Sequence, residues 1–317
     1  MLEAWFLFVV GLVLLALGGD SIVKAASGLA QRFGASPFIA GLLLVAFGTS
    51  LPELAVNAQA VWLGAHDLAL GNAVGSNIAN IGLTLGVAAL VAPLTVKMRV
   101  LSPLLLSLLG ATVLLIVFGL DGTISGLEGV VLLLAFVAVL AMLLARARKE
   151  SVEVQAGVSA FALSRPSLGL NAIRLVIASA LLYFGARYVV NGAGTLGQAW
   201  GISPLLVGLL PVAIGTALPE VAAAIAAARR GQGDMVVGHV IGSSLFNLLV
   251  IVGGMAVLNP LVLPHSFVRL ELPAVLAFAL VLYPMLRRDL HVSKAEGGIL
   301  LVAFAGWVVL QIALIAS

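Results

Sequence analysis

"SPFIAGLLLVAFGTSLPELAV", residues 36–56, decides the fold, because the chain repeats it as "SPLLVGLLPVAIGTALPEVAA" at residues 203–223. A second stretch, "GNAVGSNIAN" at residues 71–80, returns as "GHVIGSSLFN" at residues 238–247, and the offset is 167 residues in both cases. Glycine, proline, serine, asparagine and glutamate recur in register, which shared hydrophobicity alone cannot produce. The chain therefore contains two copies of one structural unit.

The composition is that of a membrane protein. Of the 317 residues, 62% are hydrophobic and 9% charged, and the mean hydropathy is +1.22, whereas soluble domains carry about 25% charged residues. Polar residues separate ten apolar segments, most of them near or above the roughly 20 residues with which a helix crosses a bilayer. These segments lie at about 4–30, 36–63, 68–92, 101–119, 124–145, 170–197, 204–228, 235–258, 269–286 and 296–315. The sequence predicts an all-α integral membrane protein with ten transmembrane helices.

The two copies are predicted to run in opposite directions through the membrane. Five predicted helices separate each element from its copy, and an odd number reverses the direction of entry, as in the inverted repeats of many secondary transporters. We therefore divide the chain into a first five-helix repeat at 1–146 and an inverted second repeat at 170–317. The segment 147–169 between them is polar and charged, which predicts a flexible cytoplasmic linker.

Basic residues predict the orientation. Loops of one parity hold Arg32, Lys97, Arg99, Arg146, Arg148, Lys149, Arg165, Arg174, Arg229, Arg230, Arg287, Arg288 and Lys294, while loops of the other parity hold only Arg269. Positive residues concentrate on the cytoplasmic side, so both termini are expected outside a cytoplasmic (inner) membrane. Because these charges lie mostly in short loops, the pI near 9.6 indicates membrane orientation rather than a nucleic-acid partner. Lipid is the expected surrounding, and the sequence indicates no obligate protein partner.

Two acidic residues lie deep inside predicted helices. Glu53 and its copy Glu220 would each cost several kcal/mol as ionised groups unless a partner or a cation compensates the charge. Pro52 and Pro219 cannot donate hydrogen bonds to the carbonyls four residues before them. Each helix is therefore expected to break just before its glutamate and to leave backbone oxygens free. The two copies together predict one shared site.

Other oxygen donors surround these acids in the sequence. Thr49, Ser50 and Thr216 stand at the breaks, and two further pairs, Ser76 with Asn80 and Ser243 with Asn247, have the i, i+4 spacing of one helix face. Two carboxylates with hydroxyl, carboxamide and carbonyl oxygens suit Ca²⁺, with Na⁺ as its competitor, better than zinc or copper. The chain has no cysteine, which excludes thiolate ligands and disulfides. Ca²⁺ and Na⁺ are expected as transported ions, and no prosthetic group is expected.

The motifs resemble those of the cation/calcium antiporter family, which includes the sodium/calcium exchangers of the prokaryotic type with two α-repeats. That family carries a G-T-S-x-P-E element followed by G-S-N-x-x-N, and this chain has "GTSLPE" with "GSNIAN" and then "GTALPE" with "GSSLFN". The resemblance covers nearly the whole chain through the ten-helix layout. It implies that the first and sixth helices slide across the other eight to expose the site alternately.

The resemblance also implies roles for individual residues. It implies a central Ca²⁺ site formed by Glu53, Glu220, Thr49 and Thr216, and neighbouring Na⁺ positions that use Ser50, Ser76, Asn80, Ser243 and Asn247. The chain departs from the family pattern at Ala217, where the first repeat has Ser50, and at Asn247, where some relatives have an aspartate. These changes remove a hydroxyl and a charge, and they bear on the number of Na⁺ ions and on Na⁺ as the coupling ion.

The sequence favours an antiporter that exchanges Ca²⁺ for Na⁺ over three alternatives. A proton-coupled exchanger of Ca²⁺ or another divalent cation would use the same two acids. A cation channel would need a continuous polar path, whereas the polar residues cluster in the middle of the helices. A membrane metallohydrolase, which would make the chain an enzyme, is disfavoured because no HExxH motif occurs among His66, His239, His265 and His291. Residue His239, which replaces Asn72 of the first copy, has either a structural or a proton-relay role.

Overall fold

The computed structural model describes residues 1–147, 149–161, 167–288 and 290–316. Within this part of the chain, ten helices are long and apolar enough to cross a membrane, as the sequence predicts. We call them spans 1 to 10. Their helical segments are Leu2–Arg32 (span 1); Pro37–Phe47, Gly48–Ser50 and Leu51–Trp62 (span 2); His66–Ile78, Ala79–Leu85 and Gly86–Val91 (span 3); Leu101–Phe118 and Gly119–Asp121 (span 4); Gly126–Ala147 (span 5); Leu168–Trp200 (span 6); Pro204–Val207, Gly208–Val212 and Ala213–Arg229 (span 7); Gly233–Phe246, Asn247–Ile251 and Val252–Leu258 (span 8); Phe267–Glu271 and Leu272–Arg288 (span 9); and Lys294–Ala316 (span 10).

The residues that start corresponding helices recur 167 or 168 residues apart. Spans 2 and 7 begin after Ser36 and Ser203, whose side chains accept hydrogen bonds from the backbone N–H groups of Ile39 and Leu206. Spans 5 and 10 follow capping boxes, in which Glu128 and Glu296 accept from both the backbone and the hydroxyl of Ser125 and Ser293. The same local chemistry therefore starts corresponding helices in both repeats.

Two short antiparallel ribbons also follow the repeat. Strand β1 (Leu94–Thr95) pairs with β4 (His291–Val292), and β2 (Thr123–Ile124) pairs with β3 (Leu261–Val262). Strand β3 lies 167 residues after β1, and the two strands occur at opposite ends of the spans. The ribbons thus stand at opposite ends of the helix bundle, as an inverted repeat requires.

Spans 3 and 8 form the centre of the bundle. Their windows of highest hydropathy are the most buried of the ten, and the backbones of spans 3 and 7 approach closely at two glycines. A Cβ atom on Gly71 would lie 2.1 Å from the carbonyl oxygen of Leu205, and one on Gly208 would lie 2.1 Å from that of Leu68. Only glycine fits at these two positions. They place the helices that carry the two repeated motifs directly against each other.

The segment predicted as a flexible linker contains a helix. Residues Val152–Phe161 form what we call the linker helix, which packs on span 2 and buries Val154 and Val158. Glu150 accepts a hydrogen bond from the backbone N–H of Val100 at 2.8 Å. The described part of this segment is therefore ordered, because its two valines at i, i+4 spacing supply an apolar face. Residue 148 and residues 162–166 of the predicted linker lie outside the described residues.

An exposed ion pair joins the linker helix to the loop before span 4. The Lys97 ammonium donates to Glu153 Oε1 at 2.7 Å. This hydrogen bond holds the pKa of the Glu153 carboxyl below its usual range and raises the pKa of Lys97. The attachment of the linker helix thus combines buried apolar contacts with a solvent-exposed polar one.

Candidate cation-binding site

Span 2 breaks where the sequence predicts. Its α-helix ends at Phe47, a 3₁₀ turn covers Gly48–Ser50, and a new α-helix starts at Leu51 with Pro52 in its first turn. Because Pro52 has no N–H, the Gly48 carbonyl has no i+4 donor within the helix. This break places Thr49 and Ser50 one turn before Glu53.

In span 7 the predicted break is wrong. The α-helix Ala213–Arg229 runs through Thr216, Pro219 and Glu220, and the departure from α geometry is a π turn at Gly208–Val212. That turn contains Pro211, for which the first repeat has Leu44. The helix tolerates one missing hydrogen bond at Pro219, so the proline pattern alone did not locate the irregular turn. Corresponding motifs therefore have different backbone geometry in the two repeats.

The two glutamates are buried together. The side chain of Glu53 is 1% exposed and that of Glu220 is 6% exposed. The two carboxyl groups lie close enough for negative charges on them to repel each other, and the Thr216 side chain lies beside Glu53. From the described residues, no hydrogen bond of good geometry reaches any of the four carboxylate oxygens. Buried carboxylates without donors are costly, so this pair is suited to a cation.

A cluster of polar side chains joins the two repeats, and it includes Ser50, three residues before Glu53. Ser50 donates its hydroxyl proton to Ser243 Oγ at 2.8 Å, and Asn80 Nδ2 donates to the same oxygen at 3.0 Å. All three residues are fully buried, and Asn80 Oδ1 accepts no hydrogen bond from the described residues. The structure thus brings together three of the predicted residues and leaves an amide oxygen available to an ion.

Three other predicted residues have different partners. The Ser76 hydroxyl and Asn72 Oδ1 are 3.5 Å apart, and Asn247 Nδ2 is 3.5 Å from Asn77 Oδ1. Thr216 donates to the carbonyl of Ala213 at 3.2 Å. These side chains are buried, but these polar contacts join each of them to a residue outside the predicted set. Both asparagines, Asn80 and Asn247, lie in π turns, an irregularity that is frequent at functional sites.

His239 lies in the site, and its ring contacts two of the predicted site residues. Its Nδ1 atom lies 2.6 Å from the Thr49 hydroxyl, and its Nε2 atom lies 3.4 Å from Glu220 Oε1. Asn57, whose Nδ2 donates to the Glu53 carbonyl at 2.8 Å, was missed altogether. Its i, i+4 spacing from Glu53 was the signal that could have found it.

A cleft of about 60 Å³ leads away from the site between spans 7 and 8. It starts at Thr49, Glu220 and His239 and extends past Ala227 and Met235 towards the loop at Arg230. The corresponding positions of the first repeat are closed. They are Val56, Asn57, Ala60, Leu68, Ala69 and Asn72, all 2% exposed or less.

Comparison with known proteins identifies the family. The family model described as sodium/calcium exchanger protein matches residues 3–145 and 170–313. Inner membrane protein YrbG of Escherichia coli (strain K12) is 41% identical in an alignment of 271 residues. This alignment covers 82% of this chain and 81% of that protein. Sodium/calcium exchanger MaX1 of Methanosarcina acetivorans is 30% identical over 340 residues, with 96% of this chain and 97% of that protein covered.

A solved structure shares the fold. The sodium-calcium exchanger NCX_Mj, soaked with Na⁺ and Sr²⁺, superposes with a TM-score of 0.68 at 30% identity, covering 96% of this chain and 98% of that one. The resemblance inferred from the two motifs is confirmed. The chain therefore belongs to the sodium/calcium exchanger family, and it is a multi-pass membrane antiporter of that type rather than an enzyme.

Proposed function

We propose that this antiporter exchanges Ca²⁺ for Na⁺ at one central site that Glu53 and Glu220 share. The observation that carries the proposal is the burial of one carboxylate from each repeat, with four oxygens that receive no good hydrogen bond from the described residues. Two negative charges in a low dielectric repel each other strongly. A divalent cation between them removes this repulsion, and oxygen ligands of this kind suit Ca²⁺.

We assign the surrounding hydroxyls and amides to the monovalent ions. Ser50, Asn80 and Ser243 form the hydrogen-bonded cluster between the repeats, and Ser76 and Asn247 are buried on spans 3 and 8, which also carry Asn80 and Ser243. Thr49 contacts His239, which in turn lies against Glu220, and Thr216 lies beside Glu53. Support for the choice of ions comes from the relative MaX1, a sodium/calcium exchanger, and from NCX_Mj, which was soaked with Na⁺ and Sr²⁺.

We further propose that the site is reached from one side at a time. The cleft between spans 7 and 8 extends towards Arg230, while the corresponding residues of the first repeat are closed. With basic loops on the cytoplasmic side, the cleft faces the cytoplasm and both termini lie outside. The membrane is then the cytoplasmic one, in line with the name of the relative YrbG. With no cation bound, two buried carboxylates make the site unstable inside the membrane. The site therefore changes sides mainly with a cation bound, which makes exchange obligatory.

Flux through proteoliposomes tests the function. Purified protein should take up Ca²⁺ when a Na⁺ gradient is imposed at clamped pH, and Glu53→Gln and Glu220→Gln should each reduce uptake to background. Each change removes half of the site charge at nearly constant volume. Glu271→Gln is the matched control, because Glu271 is another deeply buried acid within a span, only 1% exposed, that does not line the cleft.

Two results would contradict the proposal. Flux near the native level in both glutamine variants would make the paired acids structural. Uptake driven by a proton gradient and indifferent to Na⁺ would show the proton-coupled alternative instead. Elution of each variant as a single sharp peak in detergent confirms that lost flux is not lost folding.

A further inference from the structure

His239 introduces a nitrogen donor into a site that otherwise consists of oxygen. Its ring is 8% exposed and lines the cleft together with Thr49 and Glu220. The first repeat has Asn72 at the same position, fully buried and away from any such cleft. Repeat symmetry therefore does not explain the histidine, and its role is specific to span 8.

Both ring nitrogens face groups of the proposed cation site. Nδ1 is hydrogen-bonded with the Thr49 hydroxyl at 2.6 Å, while Nε2 lies 3.4 Å from Glu220 Oε1. Histidines that ligate metals usually have their second ring nitrogen held by such a hydrogen bond, which fixes the ring orientation. The ring is thus held with Nε2 directed towards a carboxylate oxygen at the wall of the cleft.

The separation of these two atoms fits a shared metal ion. An ion about 2.1 Å from both Nε2 and Oε1, the usual length for imidazole and carboxylate bonds to Zn²⁺-sized ions, would subtend an angle of roughly 110° between them. At the longer distance of about 2.4 Å that Ca²⁺ prefers, the angle becomes roughly 90°. The two atoms can therefore hold a small transition-metal ion with tetrahedral geometry or Ca²⁺ with a wider coordination shell.

We propose that His239 Nε2 and Glu220 together ligate a divalent transition-metal ion, so that the antiporter accepts such ions, Mn²⁺ among them, besides Ca²⁺. Imidazole binds transition-metal ions in preference to Ca²⁺, which takes oxygen ligands, whereas carboxylate and carbonyl oxygens suit both Ca²⁺ and Mn²⁺. His239 is then a residue that sets the selectivity among divalent cations. The inference rests on the proposed cation site and specifies its substrates.

Binding of Mn²⁺ to the full-length protein in detergent provides the test. In native protein, electron spin-echo spectra of bound Mn²⁺ should show hyperfine coupling to one ¹⁴N nucleus. In His239→Asn, which installs the residue of the first repeat, the coupling should disappear and Mn²⁺ affinity should fall by about tenfold. Ca²⁺ affinity, measured by competition, should change far less. His66→Asn removes a histidine at the far end of span 3 and should leave every value unchanged.

The outcomes separate the possible roles of the ring. Mn²⁺ bound without nitrogen coupling in the native protein overturns the inference. An equal loss of Mn²⁺ and Ca²⁺ affinity in His239→Asn also overturns it, because that result shows a ring that only positions Thr49 and Glu220. Nitrogen-coupled Mn²⁺ in a protein without Na⁺-driven Ca²⁺ flux would refute the proposed function and leave the histidine ligand in place.

Discussion

At the scale of single residues, one hydroxyl connects the two repeats at the site. Ser243 Oγ accepts from both Ser50 and Asn80, which belong to the other half of the chain. With its amide nitrogen fixed in this way, Asn80 holds its Oδ1 in one orientation, and a fixed oxygen binds an ion with less loss of conformational entropy. Ser243 therefore joins the two repeats, and under the proposed assignment it also orients the Asn80 oxygen for a monovalent ion.

Replacement of Ser243 by alanine should weaken Na⁺ binding. The change leaves two buried donors without an acceptor, which costs about 1–3 kcal/mol for each unsatisfied group. We expect a lower melting temperature in detergent and a several-fold higher Na⁺ concentration for half-maximal exchange. Ser244→Ala is the control, since Ser244 is equally buried and its hydroxyl has no hydrogen bond with the described residues. Equal Na⁺ dependence of the two variants would contradict the assignment.

Residue identity at the site was predictable only in part. The paired glutamates and the Ser–Asn spacings follow from the repeated motifs, because local sequence determines which face of a helix carries them. The contact between Thr49 and His239 joins residues 190 positions apart, and no local pattern contains it. The place of His239 in the site thus depends on how the two repeats meet.

At the scale of elements, spans 1 and 6 pack along each other more extensively than any other pair of helices. Glycines bring their backbones together. A Cβ atom on Gly11 would lie 2.7 Å from the backbone nitrogen of Val189, and one on Gly185 would lie 2.9 Å from that of Leu15. Small residues of this kind allow close helix contact in membranes. The two long helices therefore form one unit, as sliding across the other eight would require.

Gly192→Ala should loosen this unit. The added methyl group would lie 2.7 Å from the backbone oxygen of Ala4 and the backbone nitrogen of Phe8, and overpacking of this kind typically costs about 1–3 kcal/mol. Gly194→Ala, two residues further along span 6, meets nothing within 4 Å and should gain a little helix propensity. The melting temperature should fall in the first variant and stay level or rise in the second. A similar fall in both would show that the close contact does not matter.

Elements were easier to predict than their irregularities. The ten apolar segments predicted the spans, because length and hydropathy determine membrane helices. The π turn at Gly208–Val212 and the unbroken helix through Pro219 were not predictable from proline positions, since neighbouring helices decide where a missing hydrogen bond is absorbed. The linker helix was missed because its overall polarity concealed the apolar pair Val154 and Val158.

At the scale of the whole molecule, the repeats are symmetric in topology but not in accessibility. In the second repeat, Ala227 lines the cleft and is half-buried, whereas its counterpart Ala60 in the first repeat is 0% exposed. When two inverted repeats adopt different conformations, each can take up the conformation of the other. Such a change would close the cleft of the second repeat and open the first repeat on the opposite side of the membrane. Under the alternating-access mechanism proposed above, this structure corresponds to the state in which the cleft of the second repeat is open.

Single cysteines can test both the orientation and the alternation, because the chain contains no native cysteine. In inside-out vesicles, an impermeant thiol reagent should modify Arg230→Cys and Ala227→Cys, and in right-side-out vesicles it should modify neither. Ala60→Cys should resist modification from both sides in the state described here. It should become reactive from outside when Na⁺ and Ca²⁺ gradients drive turnover, since closure at Ala227 is coupled to opening at Ala60.

Reaction of Arg230→Cys from outside would reverse the orientation. A different result would contradict antiport. If Ala227→Cys and Ala60→Cys both reacted, from opposite sides and without ions to drive turnover, the protein would contain a continuous pore and would act as a channel.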